Sequence, residues 1–442
     1  MRSGIIIFLL AFIIRCINLI VLDLDNELFL IEDQKFYWEW SLKGAYLPWG
    51  ELPNNVLSER MPGAFLFFEF LQWITNKSLF FVLIFQAIVD SITCVIIFSC
   101  AGIINKKYQL YTGLFAVFSP LMIIISSQIL SDTLFIFIFS CSLYFLLKFF
   151  NSISNNYLLY LSGLFLGISA FVRAATFPLI FLSIPVIYFI IKYKNYPNKN
   201  ILISMFVFII ISLIPVSYRL GSNIIQNDTY ALTAQAGSHM AYWMTPGVLS
   251  VSRGLDRKSA INFINMEIEK SGGLTGDTYK DSKKMIGVSM EILSKESLFN
   301  ISYAWIRSSA LNIIISPILI DNRVRNMSHP PFAKEGNIVK WMKNLILNKE
   351  NFLYLTILLF SFIFSLFSGI AFIIGYYIFI KTNFILSIIS FFIIAYFCLI
   401  TGPTISPKYC LPYIPIIFYL QAMSIDKLFL FMKKRKYSKA DH

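Results

Sequence analysis

Charge is scarce in this sequence. Asp, Glu, Lys and Arg together make up 14% of its 442 residues, whereas a soluble chain of this size carries about 25%. That shortage excludes an ordinary water-soluble globular enzyme. Histidine occurs only three times, and the six cysteines lie in or at the edges of apolar runs, with Cys410 where the last run begins. None forms a spaced loop framework, so neither a disulfide scaffold nor a zinc site is indicated. No GxxxxGK[ST] loop is present to cradle nucleotide phosphates. The net charge of +13 is not gathered into a soluble basic domain, which excludes a nucleic-acid partner and leaves anionic membrane lipid as its counterpart. Residues 1–22 lack a small-x-small cleavage site and are interrupted by Arg15, so they are expected to be a retained helix rather than a leader.

What the sequence has instead is apolar length. Hydrophobic residues make up 57% of the chain, and phenylalanine alone supplies 44 positions. Runs able to cross a hydrocarbon layer roughly 30 Å thick recur, and in such runs only a helix satisfies the backbone. The expectation is an all-α polytopic membrane protein with about ten transmembrane helices. Their approximate spans are 5–22, 79–99, 110–128, 133–150, 157–173, 176–192, 201–218, 352–378, 383–401 and 410–430. Lys106, Lys107, Lys148, Lys192, Lys194, Lys199, Lys381 and the tail Lys433-Lys434-Arg435-Lys436 fall on one side if both termini are cytoplasmic. The segments 23–78 and 219–351 then lie outside. Residues 1–218 form an N-terminal transmembrane module, 219–351 a small outer cap, and 352–442 the last helices with a basic tail. Helical patterning is expected around 259–270 and 276–294. Residues 297–320 are apolar but interrupted by Arg307, and are expected to lie along or re-enter the outer leaflet rather than cross it.

In this topology the uncommon polar residues gather at the outer face: Asp33, Arg60, Asp132, Arg173, Arg219, His239 and Lys408. Ionisable groups at the edge of hydrocarbon are costly, and their gathering points to a site. Each also has a plainer reading. Arg60 and Arg219 can snorkel to the interface, Asp132 can cap its helix, and His239 can be a structural histidine. Arg15 and Asp90 lie within spans and can pair inside the bundle. Asp23-Leu24-Asp25 is a DxD, a pattern short enough to arise by chance, so a divalent cation is possible but unsupported. As a set, the groups suit one chemistry: a carboxylate as general base toward a hydroxyl, with nearby cations holding a phosphate as charge builds on it.

The order of these elements resembles the GT-C superfamily of polytopic glycosyltransferases, in the branch of protein O-mannosyltransferases and the lipid A aminoarabinose transferase. The matching elements are Arg15; Asp33 followed four residues later by Tyr37; Gly44; Arg60, Pro62 and Gly63 as R-x-P-G; and Pro120 followed by Asp132. Then come Gly163, Gly167, Ala170 and Arg173 as G-x-x-x-G-x-x-A-x-x-R; Pro215 and Arg219; and Lys408, Tyr409 and Pro412 as K-Y-x-L-P. Residues 240–350 match nothing in that pattern. The resemblance implies a helical bundle with juxtamembrane helices on its outer face. It implies inverting transfer of a sugar from a polyprenyl-phosphate donor to a hydroxyl acceptor on a glycolipid, glycan or protein. Asp33 would be the base and Arg60, Arg219 and Lys408 the phosphate holders, with Asp132 arranging the site and no metal required. There are two departures from the family pattern. Gln34 stands where many members have Glu, and Lys408 where the last motif often begins with Arg, giving a point charge in place of a bidentate fork.

Two other classes remain open on the sequence. An O-antigen polymerase or ligase would use a polyprenyl-diphosphate donor. A transporter or flippase would place polar residues at mid-membrane and often repeat its halves; here the charges sit at one face and no repeat is visible. Heavy use of Ile, Phe, Lys and Asn points to an AT-rich bacterial genome, hence an inner (plasma) membrane protein with its site facing the periplasm or exterior.

Overall fold

The computed structural model describes residues 2–22, 24, 30, 32–43, 58–152, 155–193, 201–330 and 338–438. Asp23, Asp25 and Gly44 lie outside the described residues. Among the described residues every regular element is helical, as expected for a chain that must satisfy its backbone in lipid.

Helix α1 (Arg2–Ile20) is followed by two short helices at one end of the bundle, α2 (Asp33–Leu42) and α3 (Pro62–Ile74). Next come α4 (Leu79–Ile104), α5 (Lys106–Val117), α6 (Pro120–Ser126), α7 (Ser131–Asn151), α8 (Asn156–Val172), α9 (Phe177–Tyr193) and α10 (Ile201–Asn227). A cap follows at the same end as α2 and α3: α11 (Gln235–His239), α12 (Thr245–Ser252), α13 (Arg257–Lys270), α14 (Thr278–Ser294) and α15 (Leu298–Ile314). Helices α16 (Ile338–Leu347), α17 (Phe352–Thr382) and α18 (Phe384–Thr401) lead to a 3₁₀ turn (Pro407–Tyr413) and α19 (Ile414–Ser438).

Among the described residues, six helices are individually long and apolar enough to cross a membrane: α1, α4, α7, α10, α17 and α18. The pair α5–α6 makes a seventh if its 48° bend is counted as one broken span. Helix α8 and the apolar stretch Ala174–Phe189 are shorter. Six or seven helices among the described residues therefore meet the length and apolarity needed for a crossing, and these criteria do not reach the expected ten. The span expected over 110–128 is the broken one, and the last helix starts only after the 3₁₀ turn. The 297–320 stretch forms α15, 17 residues long, followed by a short 3₁₀ turn at Pro317–Ile320.

The bend has an identifiable cause. Pro120 has no amide hydrogen, so the carbonyl of Ala116, four residues earlier, loses its helical donor. Arg15, fully buried in α1, fills the gap by donating to Ala116 O at 3.2 Å and Val117 O at 2.9 Å. Its Nε is bonded at 2.6 Å to the buried carboxylate of Asp90 in α4. One arginine thus joins three segments across the bundle; Arg15 and Asp90, each expected to find a partner inside the bundle, are each other's partner.

Close packing explains the glycine motif. A Cβ on Gly167 would stand 2.1 Å from the Ser212 carbonyl, and one on Gly163 would stand 2.7 Å from the Ser212 hydroxyl. Small residues here let α8 and α10 meet backbone to backbone. The cap has its own apolar core of Ala241, Leu249, Ala260, Ile264, Ile268, Val288 and Ile292. Three of its helices, α13, α14 and α15, start where side chains accept from first-turn amides: Asp256 from Ser259, Asp277 from Tyr279 and Lys280, and Ser297 from Asn300.

Candidate active site

Asp33 is the first residue of α2, directly after Glu32, whose φ of 49° is a strained left-handed conformation that turns the chain into the helix. The Asp33 side chain is 48% exposed, and its Oδ1 accepts from Arg60 at 3.1 Å. Arg60 is held by the turn that follows it. Pro62 opens α3 at a position where its missing amide costs nothing. A Cβ on Gly63 would stand 2.7 Å from the Phe171 carbonyl. The R-x-P-G motif therefore seats α3 against the end of α8, two residues from Arg173.

Arg173 meets Asp132 at 2.5 Å across the start of α7 and stacks over Phe135. The N-cap of α7 is Leu130, which makes no side-chain cap bond. Asp132 therefore spends its carboxylate on Arg173 rather than capping the helix, and the helix dipole favours it there. Gln34, buried beside Asp33, accepts from the Ile129 amide at 3.2 Å and so ties α2 to the chain that leads into Asp132.

Two tyrosines register these charges. Tyr37 is buried, its ring 4.8 Å from that of Phe65. Burial raises its pKa, partly offset by Arg60, a bond to Ser131 and Arg173, with Asp33 acting in the opposite sense. Burial also raises the pKa of Tyr409, in the 3₁₀ turn; Arg173 offsets this, Asp132 and Asp33 add to it, and Arg257 lowers it. Asp33, Arg60, Asp132, Arg173, Tyr37 and Tyr409 are thus brought to one place.

The other expected residues have different surroundings. Arg219 donates to the Leu232 carbonyl and to the Tyr279 hydroxyl, each at 3.2 Å, and so joins α10 to the cap. His239 Nε2 lies 3.1 Å from the Thr401 carbonyl, and burial holds its pKa below the ordinary 6.5, only partly offset by that bond. Lys408 is half-buried and in no ion pair among the described residues. No group of three or more His, Cys, Asp or Glu side chains that could hold a metal occurs among the described residues.

Residues 59–218 match the sequence model of the family described as dolichyl-phosphate-mannose-protein mannosyltransferase, less than half of the chain. Comparison with curated protein sequences gives no match. Among solved structures, the archaeal oligosaccharyltransferase AglB from Archaeoglobus fulgidus, in complex with an inhibitory peptide and a dolichol-phosphate, superimposes over 100% of this chain and 51% of its own, at 12% identity and a TM-score of 0.53. The chain has a GT-C fold. It spans about half the length of AglB. ArnT from Cupriavidus metallidurans bound to undecaprenyl phosphate also matches, over 88% of this chain and 72% of its own, at 11% identity; its TM-score of 0.38 adds no argument.

Within this GT-C fold, Arg257 is a further candidate that sequence reasoning did not single out. It lies in the stretch without a matching motif, in the first turn of α13, with its guanidinium 3.7 Å from the ring centre of Trp243. Arg60 and Arg173 already hold carboxylates, whereas Arg257 acts on Tyr409 and is in no ion pair among the described residues. No local signal marks it; only the folding of the cap over the bundle brings it near.

Proposed function

We propose that this chain is an inverting glycosyltransferase. It moves a hexose or pentose from a polyprenyl-phosphate donor to a hydroxyl acceptor at the exterior face of a bacterial inner membrane. The observation that carries the reading is the half-exposed Asp33 carboxylate, held by Arg60 at the end of the bundle where Asp132, Arg173 and Tyr409 meet. The family match from residue 59 to 218 supports it. So does the shared fold with AglB, whose bound dolichol-phosphate is a lipid phosphate of the class such a donor would release.

In this reading Asp33 takes the proton from the acceptor hydroxyl. The acceptor oxygen forms its bond to the anomeric carbon from the face opposite the phosphate, and the bond from that carbon to the phosphate oxygen breaks with its electron pair leaving on the lipid phosphate. One displacement inverts the anomeric centre. Protonation of Asp33 weakens its hold on Arg60, which frees that guanidinium for the phosphate as negative charge develops there. Lys408 and Arg257 supply the remaining positive charge, and no metal is required. Asp132 fixes Arg173, while Arg219 and His239 anchor the cap. The lysines Lys106, Lys107, Lys148, Lys192 and Lys381, at the other helix ends, support an orientation with those ends cytoplasmic and the site outside.

The reading is tested by supplying the purified protein in lipid nanodiscs with sugar donors on a polyprenyl monophosphate or a polyprenyl diphosphate. Transfer from the monophosphate is expected. Transfer from the diphosphate alone would favour the polymerase or ligase class instead.

A further inference from the structure

Among the described residues the cap supplies no carboxylate to the Asp33 and Asp132 ion pairs, yet it grips the chain that delivers Lys408 and Tyr409. That chain is the last turn of α18 together with the connector from it to the 3₁₀ turn. Trp305 Nε1 donates to the Leu399 carbonyl at 3.2 Å. His239 Nε2 meets the Thr401 carbonyl at 3.1 Å. Asn312, 3% exposed, uses both ends of its amide: Nδ2 donates to Thr404 O at 2.9 Å, and Oδ1 accepts from Ser406 N at 2.7 Å.

The backbone of the connector is fitted as closely as its polar groups. A Cβ on Gly247 would stand 2.3 Å from the Pro403 carbonyl. Gly402, at φ +70°, would bring a Cβ within 2.6 Å of Met244. A π-helical turn, Met240–Met244, follows directly after His239. In an α-helix, residues five apart point about 140° away from each other. The i→i+5 bonding of a π turn widens the turn and brings them nearer to the same side. The turn thus brings His239 and Met244 toward one face, where the first holds Thr401 and the second meets Gly402.

We propose that the cap is a positioning device for the Lys408–Tyr409 turn, with Asn312 and His239 as its positioning residues. The proposal rests on the reading that this turn takes part in holding the lipid phosphate. The chemistry at Asn312 is specific. Asp in its place could accept from Ser406 but would set a carboxylate against the Thr404 carbonyl, and Ala could do neither. Gln carries the same donor and acceptor one methylene further out.

The test measures binding of farnesyl phosphate, without sugar, to the full chain in nanodiscs, together with the maleimide labelling rate of a cysteine placed at the exposed connector residue Ile405. Asn312→Asp and Asn312→Ala should weaken binding about tenfold, the worth of one buried polar contact, and speed labelling. Asn312→Gln should restore part of both. His239→Ala gives a second route with Asn312 intact, and should shift both readouts in the same direction. Lys408→Ala serves as the reference. If it weakens binding while the Asn312 and His239 variants bind and label as the parent does, the proposal is overturned. If Lys408→Ala itself binds unchanged, the reading on which the proposal rests fails, separately from the clamp.

Discussion

Removing one member of the Arg15–Asp90 pair should cost more than removing both. The two groups are 0% and 2% exposed, and their bond is 2.6 Å long. Asp90→Ala leaves a guanidinium in the bundle with no counter-charge, for which breaking a buried pair costs about 3–5 kcal/mol. Arg15→Met strands the carboxylate and also removes the donors to Ala116 and Val117 at the bend. The double variant, Arg15→Met with Asp90→Leu, has neither charge of the pair left; it loses the three bonds to the Ala11, Ala116 and Val117 carbonyls, each worth about 1 kcal/mol net. The double variant should therefore be more stable than either single, with a coupling of about 3 kcal/mol or more between the sites. Reversible unfolding in mixed micelles, followed by helical circular dichroism, measures all four corners of the cycle. Because α6 leads directly into Asp132, the singles should also lose transfer activity. Additive stabilities would refute the reasoning, as they would show that the two side chains do not sense each other.

Other outcomes follow from the packing and the site. Gly167→Ala puts a methyl 2.1 Å from the Ser212 carbonyl and should destabilise the chain by about 1–3 kcal/mol in the same unfolding assay. The ring of His239 is held neutral by burial, so the unfolded chain takes up the proton first. Stability should therefore fall as pH drops through about 6.5 and should not change above it on this account. His239→Gln should remove that acid-side slope, measured as unfolding midpoint against pH. Arg257→Ala should weaken farnesyl phosphate binding and reduce its salt dependence, whereas Arg257→Lys should keep part of both, as titrations at two ionic strengths would show.

The apolar runs were legible because lipid leaves the backbone only one solution, and α13 and α14 were legible from their patterning. Legible too was the order of short motifs, and the structure gives physical reasons for two of them. Gly63 and Gly167 stand where backbones nearly touch. What the sequence hid are contacts between residues far apart along it. Asp132 reads locally as a cap, and only the fold brings Arg173, 41 residues later, to its carboxylate. Arg219 reads as a phosphate holder until Tyr279 is found on its guanidinium. The bend at Pro120 was hidden inside one apolar run because Arg15 satisfies it from another helix. Asn312 and Arg257 carry no local mark, since the cap has no motif of its own and takes its meaning from what it presses against.

The most direct measurement is transfer by Asp33→Asn in nanodiscs, with farnesyl phosphate binding measured on the same sample. The substitution keeps the size of the side chain and an oxygen for Arg60, but removes the group that accepts the hydroxyl proton. Binding close to that of the parent, with transfer lost by at least about a hundredfold, is the predicted result. Transfer at the parent rate would show that another group removes the proton and that Asp33 is not the base.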